Sequence, residues 1–342
     1  MNIIRIGLDI AKHIFYLHGV DAPGKTTLRR KLKRHELLAF FAQCSPCLIA
    51  MEACSGSHYW GRELRKLGHE VRLISPQFVV AYRKNQKNDY NDAEAICEAA
   101  SREHMRFVAI KSEQQQTTLM VHRIREQCIA DRTSKANQIH GHLHELGIVL
   151  PQGVTRLLAL LPPLLEDNQL PALLKSLLRD LLEDIHLLNK RIESLDKQIL
   201  EFVKSNDTAT RLMTIKGIGP ITASALVATV GDAHLFKNSR QFSAWLGLVP
   251  KQFSSGGKTK LGGITKAGDG YLRKLLIQGA RAVLIKCTTS EDYRSKWIMQ
   301  LRMRKPDNVV ATALAAKLAR TAWAIMTSDK IFQENYSVLT AA

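Results

Sequence analysis

Near residue 110 the hydrophobic rhythm of the chain changes, and that change limits the folds open to it. Before it, short apolar runs alternate with polar turns: "NIIRIGLDI" (2–10), "HIFYLHGVD" (13–21), a third run near 25–32, "CLIAMEA" (47–53) and "EVRLISP" (70–76). Runs of this length, rich in Ile, Val and Leu, predict strands. The first three follow one another directly, whereas the amphipathic stretches "HELLAFFAQC" and "SHYWGRELRKLG" precede and separate the later two. A meander followed by strand–helix alternation predicts a mixed α/β sheet over residues 1–108.

Beyond the change, residues 112 to 205 predict long helices. Leu174, Leu178, Leu181, Ile185, Leu188, Ile192, Leu195, Ile199 and Phe202 succeed one another at alternating spacings of four and three, a heptad seam. It predicts a coiled coil, or packing on the chain's own "QQTTLMVHRIREQCIADRTSKANQIHGHLHEL"; both leave room for a second subunit, so a homo-oligomer, dimer or tetramer, is expected. Pro151, Pro162, Pro163 and Pro171 are expected to divide this region into two arms. Of His140, His142 and His144, residues two apart on a helix point to different faces, so at most His140 and His144 could share an ion, and the three read as solvated or helix-packing histidines. The chain thus divides into an α/β domain (1–108), a helical coiled-coil region (109–206) and a mainly helical last domain (207–342). The last opens with "LMTIKGIGPITASALVATVGD", a helix-hairpin-helix-like segment. There Lys216 and the turn Gly217-Ile218-Gly219 would offer charge and backbone N–H groups to phosphate.

The formal net charge of +18 on 342 residues points to a polyanionic partner. Residues 251–305 hold thirteen Lys or Arg against three Asp or Glu. Candidate phosphate contacts are Arg83, Lys84 and Lys87, Lys216, Lys258, Lys260, Lys266, Arg273 and Lys274. No signal-peptide pattern and no run of about 18 apolar residues leads to the expectation of a cytoplasmic protein without a membrane partner. The six cysteines, with one Cys-x-x-Cys at Cys44 and Cys47, read as free, mostly buried thiols rather than a zinc or redox site.

Against this basic background, four acidic residues occupy special places. Asp9 ends the first strand, Glu52 ends "CLIAME", and Asp89 with Asp92 opens a helix in "NDYNDAEAI". If the two strands are neighbours, their carboxylates share one sheet edge, and the i, i+3 spacing puts the other two on one helical face. Clustered carboxylates repel unless a cation neutralises them, and hard oxygen ligands select Mg²⁺ or Mn²⁺. Taken singly, each is better explained structurally, Asp89 or Asp92 by an N-cap, Asp9 by a strand-end turn and Glu52 as a core-edge acid; together within one α/β domain they favour a metal site.

These same motifs carry a family resemblance. "IGLDIAK", "CLIAMEACSGSHYWGRELRKLGHEVRLISP", "KNDYNDAEAI", "LMTIKGIGPITASALVATVGD", "FSAWLGLVP", "SSGG" and "TKAGDGYLRKLL" stand in the order found in the IS-one-ten family of insertion-sequence transposases, which includes the pilin-gene invertase Piv. The resemblance implies a ribonuclease-H-like, Holliday-junction-resolvase-like first domain with an Asp-Glu-Asp-Asp tetrad, a coiled-coil arm and a last domain bearing a nucleophilic serine. By motif, the tetrad is Asp9, Glu52, Asp89 and Asp92, and the serine is Ser255, with Ser254 beside it in a segment that composition alone reads as a flexible loop. It further implies a 5′-phosphoserine intermediate, donor and target DNA as partners, and a structured non-coding bridge RNA as guide. The other functions open to the sequence are a metal-dependent junction endonuclease using water, in which Ser255 is dispensable, and a decayed DNA-binding protein.

Overall fold

The structure is a computed structural model and describes residues 3–84, 88–166, 170–287 and 292–333. The chain forms two compact units, 1–115 with 230–235, and 116–229 with 236–342.

The first unit is built on a six-stranded sheet of order β3-β2-β1-β4-β5-β6. Its strands are β1 (Arg5–Ile10), β2 (Ile14–Val20), β3 (Thr26–Lys33), β4 (Leu48–Glu52), β5 (Glu70–Ile74) and β6 (Phe107–Val108). β1 runs antiparallel to β2 and parallel to β4, and β5 continues parallel to β4. Helices α1 (Leu37–Ala42) and α2 (Ser57–Lys66) supply the crossovers, followed by α3 (Pro76–Val79) and α4 (Asp89–Ala99). The strand runs expected from sequence are present; β6 is too short to leave a periodic signal.

Alternation sorts the side chains of the sheet onto two faces. Ile6, Leu8, Phe15, Leu17, Ile49 and Met51 point one way and pack with Leu37, Phe41, Trp60 and Leu64 of α1 and α2. The opposite face carries Ala50 and Ile74 against Ala95, Ile96 and Ala99 of α4. Gly7 lies on that second face, where a Cβ would stand 2.1 Å from the Ala93 carbonyl oxygen. The missing side chain therefore lets α4 lie directly on β1, and this close approach sets the position of the first turn of α4.

Among its described residues the second unit is helical apart from one hairpin. Its helices are α5 (Glu113–His144), α6 (Val154–Leu165), α7 (Ala172–Lys204), α8 (Asp207–Leu212), α9 (Pro220–Val230) and α10 (Ser239–Trp245). After strands β7 (Pro250–Ser255) and β8 (Lys258–Ile264) come α11 (Gly270–Lys286), α12 (Tyr293–Arg302) and α13 (Asp307–Met326). The heptad seam of α7 packs within the chain. Leu178 and Ile185 join Ile139, Leu143, Leu157 and Leu161, and farther along Ile192 and Leu195 meet Cys128. Polar pairs fix the antiparallel register of α5 and α7: Arg125 Nε to Asp196 Oδ1 at 2.5 Å, Arg132 Nη1 to Asn189 Oδ1 at 2.8 Å, and Lys135 Nζ to Asp184 Oδ2 at 2.5 Å.

Two expectations need correction. Pro162 and Pro163 do not break the helical region, since α6 runs through both. Each gives up the N–H bond to the residue four back, but proline's fixed φ of about −65° suits a helix and only the last turn of α6 follows them; the interruptions fall at Pro151 and Pro171 instead. The segment "SSGGKTKLGG" is not an irregular loop: β7 and β8 pair from Pro250–Ile264 to Ser255–Lys258 around Gly256 and Gly257, whose φ values of 53° and 76° suit a two-residue turn. Helix α13 has the length and composition of a membrane span, with a mean hydropathy of 1.4. Eight of its residues, among them Leu314, Leu318 and Ala322, are nevertheless buried in the core of its unit.

Candidate functional site

Parallel pairing places two acids side by side. Leu8 is opposite Met51 at the last paired position of β1 and β4, so Asp9 and Glu52 are the next residues of each strand and share a sheet face. They sit toward the carboxyl ends of parallel strands, where open α/β sheets bind ligands. Across β1 on the other side, Asp9 is paired with Tyr16 of β2.

Helix α4 brings the third acid. Its N-cap is Asn88, whose side chain accepts a hydrogen bond from the Asn91 amide at 2.9 Å. Because Asn88 does the capping, neither Asp89 nor Asp92 is consumed by it, and both remain in the first turn on the positive end of the helix dipole. Asp89 meets the Tyr16 hydroxyl. Desolvation raises the Tyr16 pKa, and a hydrogen bond to Asp89 raises it further, with smaller contributions from the charges of Asp89, Tyr90 and Asp9. Cys54, just beyond β4, is pushed up to about 11 by desolvation and then by the charges of Glu52 and Asp9. Asp9 contributes to both shifts, together with Asp89 at Tyr16 and with Glu52 at Cys54.

Asp92 is placed differently. Arg83 Nε donates to Asp92 Oδ1 at 2.5 Å, and both side chains are largely buried, at 23% and 13% exposure. Among the described residues no three His, Cys, Asp or Glu side chains are close enough to hold a metal ion. The donor chemistry of Asp9, Glu52 and Asp89 nevertheless suits a hard divalent cation. Cys54, two residues beyond Glu52, is a softer donor of a kind that hard divalent cations do not select.

In the second unit, Ser255 occupies the last ladder position of β7, opposite Lys258 and beside the glycine turn. Ser254 points to the other face of the hairpin. Its hydroxyl accepts from Gln252 Nε2 at 2.8 Å and lies 3.4 Å from the Thr259 hydroxyl. Ser255 is exposed and, among the described residues, its hydroxyl has no hydrogen-bond partner, so it is the more available of the two.

Comparison with known proteins fits these two regions. The model of the DEDD-type transposase of IS110 matches residues 6–148, spanning Asp9, Glu52, Asp89 and Asp92, and the "Transposase IS116/IS110/IS902 family" model matches residues 209–295, spanning the Gly217 turn and Ser255. The chain is 49% identical to the probable family 20 transposase of Pseudomonas aeruginosa, over 97% of its own length and 99% of the relative's. The chain belongs to the IS116/IS110/IS902 family of transposases.

Similarity to the transposases for the insertion sequence elements IS1328 of Yersinia enterocolitica and IS1111A of Coxiella burnetii extends equally far. These are 42% and 39% identical over 97% and 96% of this chain, and over 99% and 91% of their own lengths. In this transposase several basic residues singled out from sequence are already engaged. Arg83 holds Asp92, Lys84 Nζ is 3.3 Å from Glu94, and Lys274 is paired with Glu126. Arg273 donates to the Leu246 and Ala267 carbonyls at 3.2 and 3.1 Å and so ties α11 to the segment after α10. Lys258 and Lys260 are exposed on β8, and Lys266 takes a left-handed backbone, φ 56°, in the turn that follows. Lys87 lies outside the described residues.

Of the two glycines beside Lys216, only Gly217 is sterically required. It has φ 99°, and a Cβ there would stand 3.0 Å from Val283 and 3.1 Å from the Gly279 carbonyl oxygen; around Gly219 nothing lies within 4 Å. Sequence reasoning did not foresee the buried group beneath this turn. His122 of α5 meets the Tyr271 hydroxyl through Nδ1 at 3.0 Å and the Ser224 hydroxyl through Nε2 at 2.9 Å. Since Ser224 donates to the Pro220 carbonyl at 2.8 Å, Nε2–H donates to Ser224 and Nδ1 accepts from Tyr271. Burial lowers the His122 pKa to about 4 and raises that of Tyr271 to about 12. Only the spatial meeting of residues distant in sequence identifies this network.

Proposed function

We propose that this transposase is a DNA recombinase of an insertion element that cuts and rejoins strands with a divalent-metal site of Asp9, Glu52, Asp89 and Asp92 and with Ser255 as nucleophile. The observation that supports the reading is the adjacency of Asp9 and Glu52 on one face of the mixed six-stranded sheet, with Asp89 reaching the Tyr16 hydroxyl beside Asp9, in a strongly basic chain. Mg²⁺ or Mn²⁺ bound there would neutralise the carboxylates and stabilise the charge that builds on a phosphodiester during displacement.

The chain's own residues do the rest. Tyr16 donates a hydrogen bond to Asp89 and restrains that carboxylate. Asp92 joins the set by exchanging Arg83, and Arg83 is then released toward the substrate phosphate. The Ser255 oxygen attacks phosphorus and its proton passes to solvent as the P–O3′ bond breaks; the departing 3′-oxygen takes a proton from solvent and leaves as the 3′-hydroxyl, giving a 5′-phosphoserine. Attack by the 3′-hydroxyl of a second strand reverses the step and rejoins the DNA. The other phosphate contacts are Lys84, Lys87, Lys216, Lys258, Lys260, Lys266, Arg273 and Lys274, with the N–H groups at Gly217 and Gly219.

Donor and target DNA are the substrates, a structured non-coding bridge RNA is the guide, and the enzyme acts in the cytoplasm. Delegating sequence readout to RNA suits a chain with only 6% Phe, Trp and Tyr. The exposed Leu173, Leu177 and Leu187, outside the buried seam of α7, support self-association into a dimer or tetramer.

The test is strand cutting and joining by purified protein with its flanking non-coding RNA, donor and target DNA and Mg²⁺. Ser255→Ala is expected to abolish the covalent protein–DNA adduct and strand joining, and Asp9→Asn to abolish all cutting. Cutting that survives Ser255→Ala without an adduct would establish water attack and a junction endonuclease instead.

A further inference from the structure

The strongest basic patch outside the expected contacts lies on β3, the edge strand of the first unit. Residues 25–34, "KTTLRRKLKR", hold six Lys or Arg and no acid. Strand alternation splits these charges between the two faces of the sheet, and the register shows which face each one joins. Arg29 is opposite His18, Lys31 opposite Tyr16, and Lys33 opposite Ile14. Tyr16 is itself opposite Asp9, and Asp9 neighbours Glu52. One row therefore crosses the sheet from Lys31 through Tyr16 to Asp9 and Glu52, all on the face that α4 covers only in part.

Arg29, Lys31 and Lys33 are exposed, and among the described residues none of them is in an ion pair, unlike Arg83 and Lys84 close by. Arg29 lies 4.6 Å over the Tyr90 ring, and Tyr90 stands edge-on to Tyr16 at 4.8 Å. The aromatic pair thus stands between Arg29 and the Asp89 carboxylate that Tyr16 contacts, and Tyr90 holds Arg29 by cation–π attraction. Alternate residues of a strand recur at about 6.6 Å, close to the step between successive phosphates along a nucleic-acid strand.

We propose that Arg29, Lys31 and Lys33 form a phosphate-binding track that carries the DNA strand entering or leaving the Asp9–Glu52–Asp89 site. The proposal rests on the reading of those carboxylates as the cutting site, because it is their position that makes the occupant DNA. Uncompensated lysines on an edge strand also discourage strand-to-strand aggregation, and the experiment separates the two roles.

Fluorescence anisotropy with a labelled DNA duplex of the element end, titrated over a range of salt, measures the slope of log K against log salt. Replacing both lysines, Lys31→Gln with Lys33→Gln, is expected to reduce that slope by about 2, since each phosphate no longer neutralised removes roughly 0.9. The pair Lys31→Arg with Lys33→Arg is expected to retain it. Where the Gln pair does not stay monodisperse, the single Gln variants carry the test, each losing about one unit of slope. An unchanged slope overturns the proposal, as does a change confined to a labelled RNA run in parallel. Asp9→Asn is expected to bind DNA with the unaltered slope and not cut. If Asp9→Asn cuts, the reading of the carboxylates fails, and the slope of the lysine variants still reports separately on the track.

Discussion

Adding one methyl group at Gly7 tests how the carboxylates are positioned. In Gly7→Ala the new Cβ would lie 2.1 Å from the Ala93 carbonyl oxygen, 2.5 Å from the Cys97 amide nitrogen and 2.8 Å from the Cys97 Cβ. Real Cβ atoms essentially never come closer than 3.0 Å to such neighbours, so α4 must withdraw from β1 by about 1 Å. The neighbours on both sides are backbone and cannot rotate away. Overpacking of this kind destabilises by about 1–3 kcal/mol, and a displacement of about 1 Å in a reacting constellation lowers rates about 100-fold. Asp89 rides on α4 while Asp9 and Glu52 stay on the sheet, so the loss falls on the geometry among them. Urea unfolding and single-turnover DNA cutting under conditions where the variant is fully folded measure the two effects. Leu8→Ala, on the opposite face, is the control: it should cost about 2–5 kcal/mol of stability with a much smaller change in rate. Cutting by folded Gly7→Ala within threefold of the unaltered protein would refute the claim that α4 sets the site.

Removing Arg83 frees Asp92 from its ion pair, so Arg83→Ala should lower the Mg²⁺ concentration for half-maximal cutting roughly fivefold, the equivalent of about 1 kcal/mol of competing pairing. An unchanged midpoint would mean that Asp92 serves structure alone. His122 has a folded pKa lowered to about 4 by burial, with Arg125 opposing its charge and Glu126 and Asp196 favouring it. Below an unfolded pKa of about 6.5 the unfolded chain binds a proton that the folded one refuses. Stability should therefore be full above that pH and fall by up to about 3 kcal/mol as pH drops toward 4. His122→Gln should flatten this dependence in denaturant melts. Gly217→Ala, with φ 99° and close neighbours, should destabilise by about 1–3 kcal/mol. Gly219→Ala, in open space, should leave stability within about 0.5 kcal/mol and weaken DNA binding if phosphate approaches that backbone.

Much of the first unit was legible because each strand has a simple apolar rhythm and each candidate acid stands at the end of an element. What sequence could not give was the neighbour relation: only parallel pairing of β1 with β4 makes Asp9 and Glu52 adjacent. The partner of Asp92 was equally hidden, since Arg83 and its role depend on where the chain turns before α4. The charges of β3 escaped notice because strand alternation divides them between two faces, and a linear count favours the denser 251–305 segment. In the second unit the heptad seam was visible, and of the two partners it allowed, the chain's own α5 is one it packs on. Ser255 was read as part of a loop because Gly-Gly flanked by Ser and Lys resembles a linker, whereas the pairing of Gln252 with Leu261 and Phe253 with Lys260 makes a hairpin.

The most direct measurement is the identity of the residue joined to DNA. The adduct formed with Mg²⁺, guide RNA and donor DNA should be trapped, digested with protease and nuclease, and the modified peptide sequenced by mass spectrometry. The account predicts a nucleotide attached through its 5′-phosphate to Ser255, and no adduct in Asp9→Asn. Attachment to any other residue, or complete cutting and joining with no covalent adduct at any time point, would contradict it.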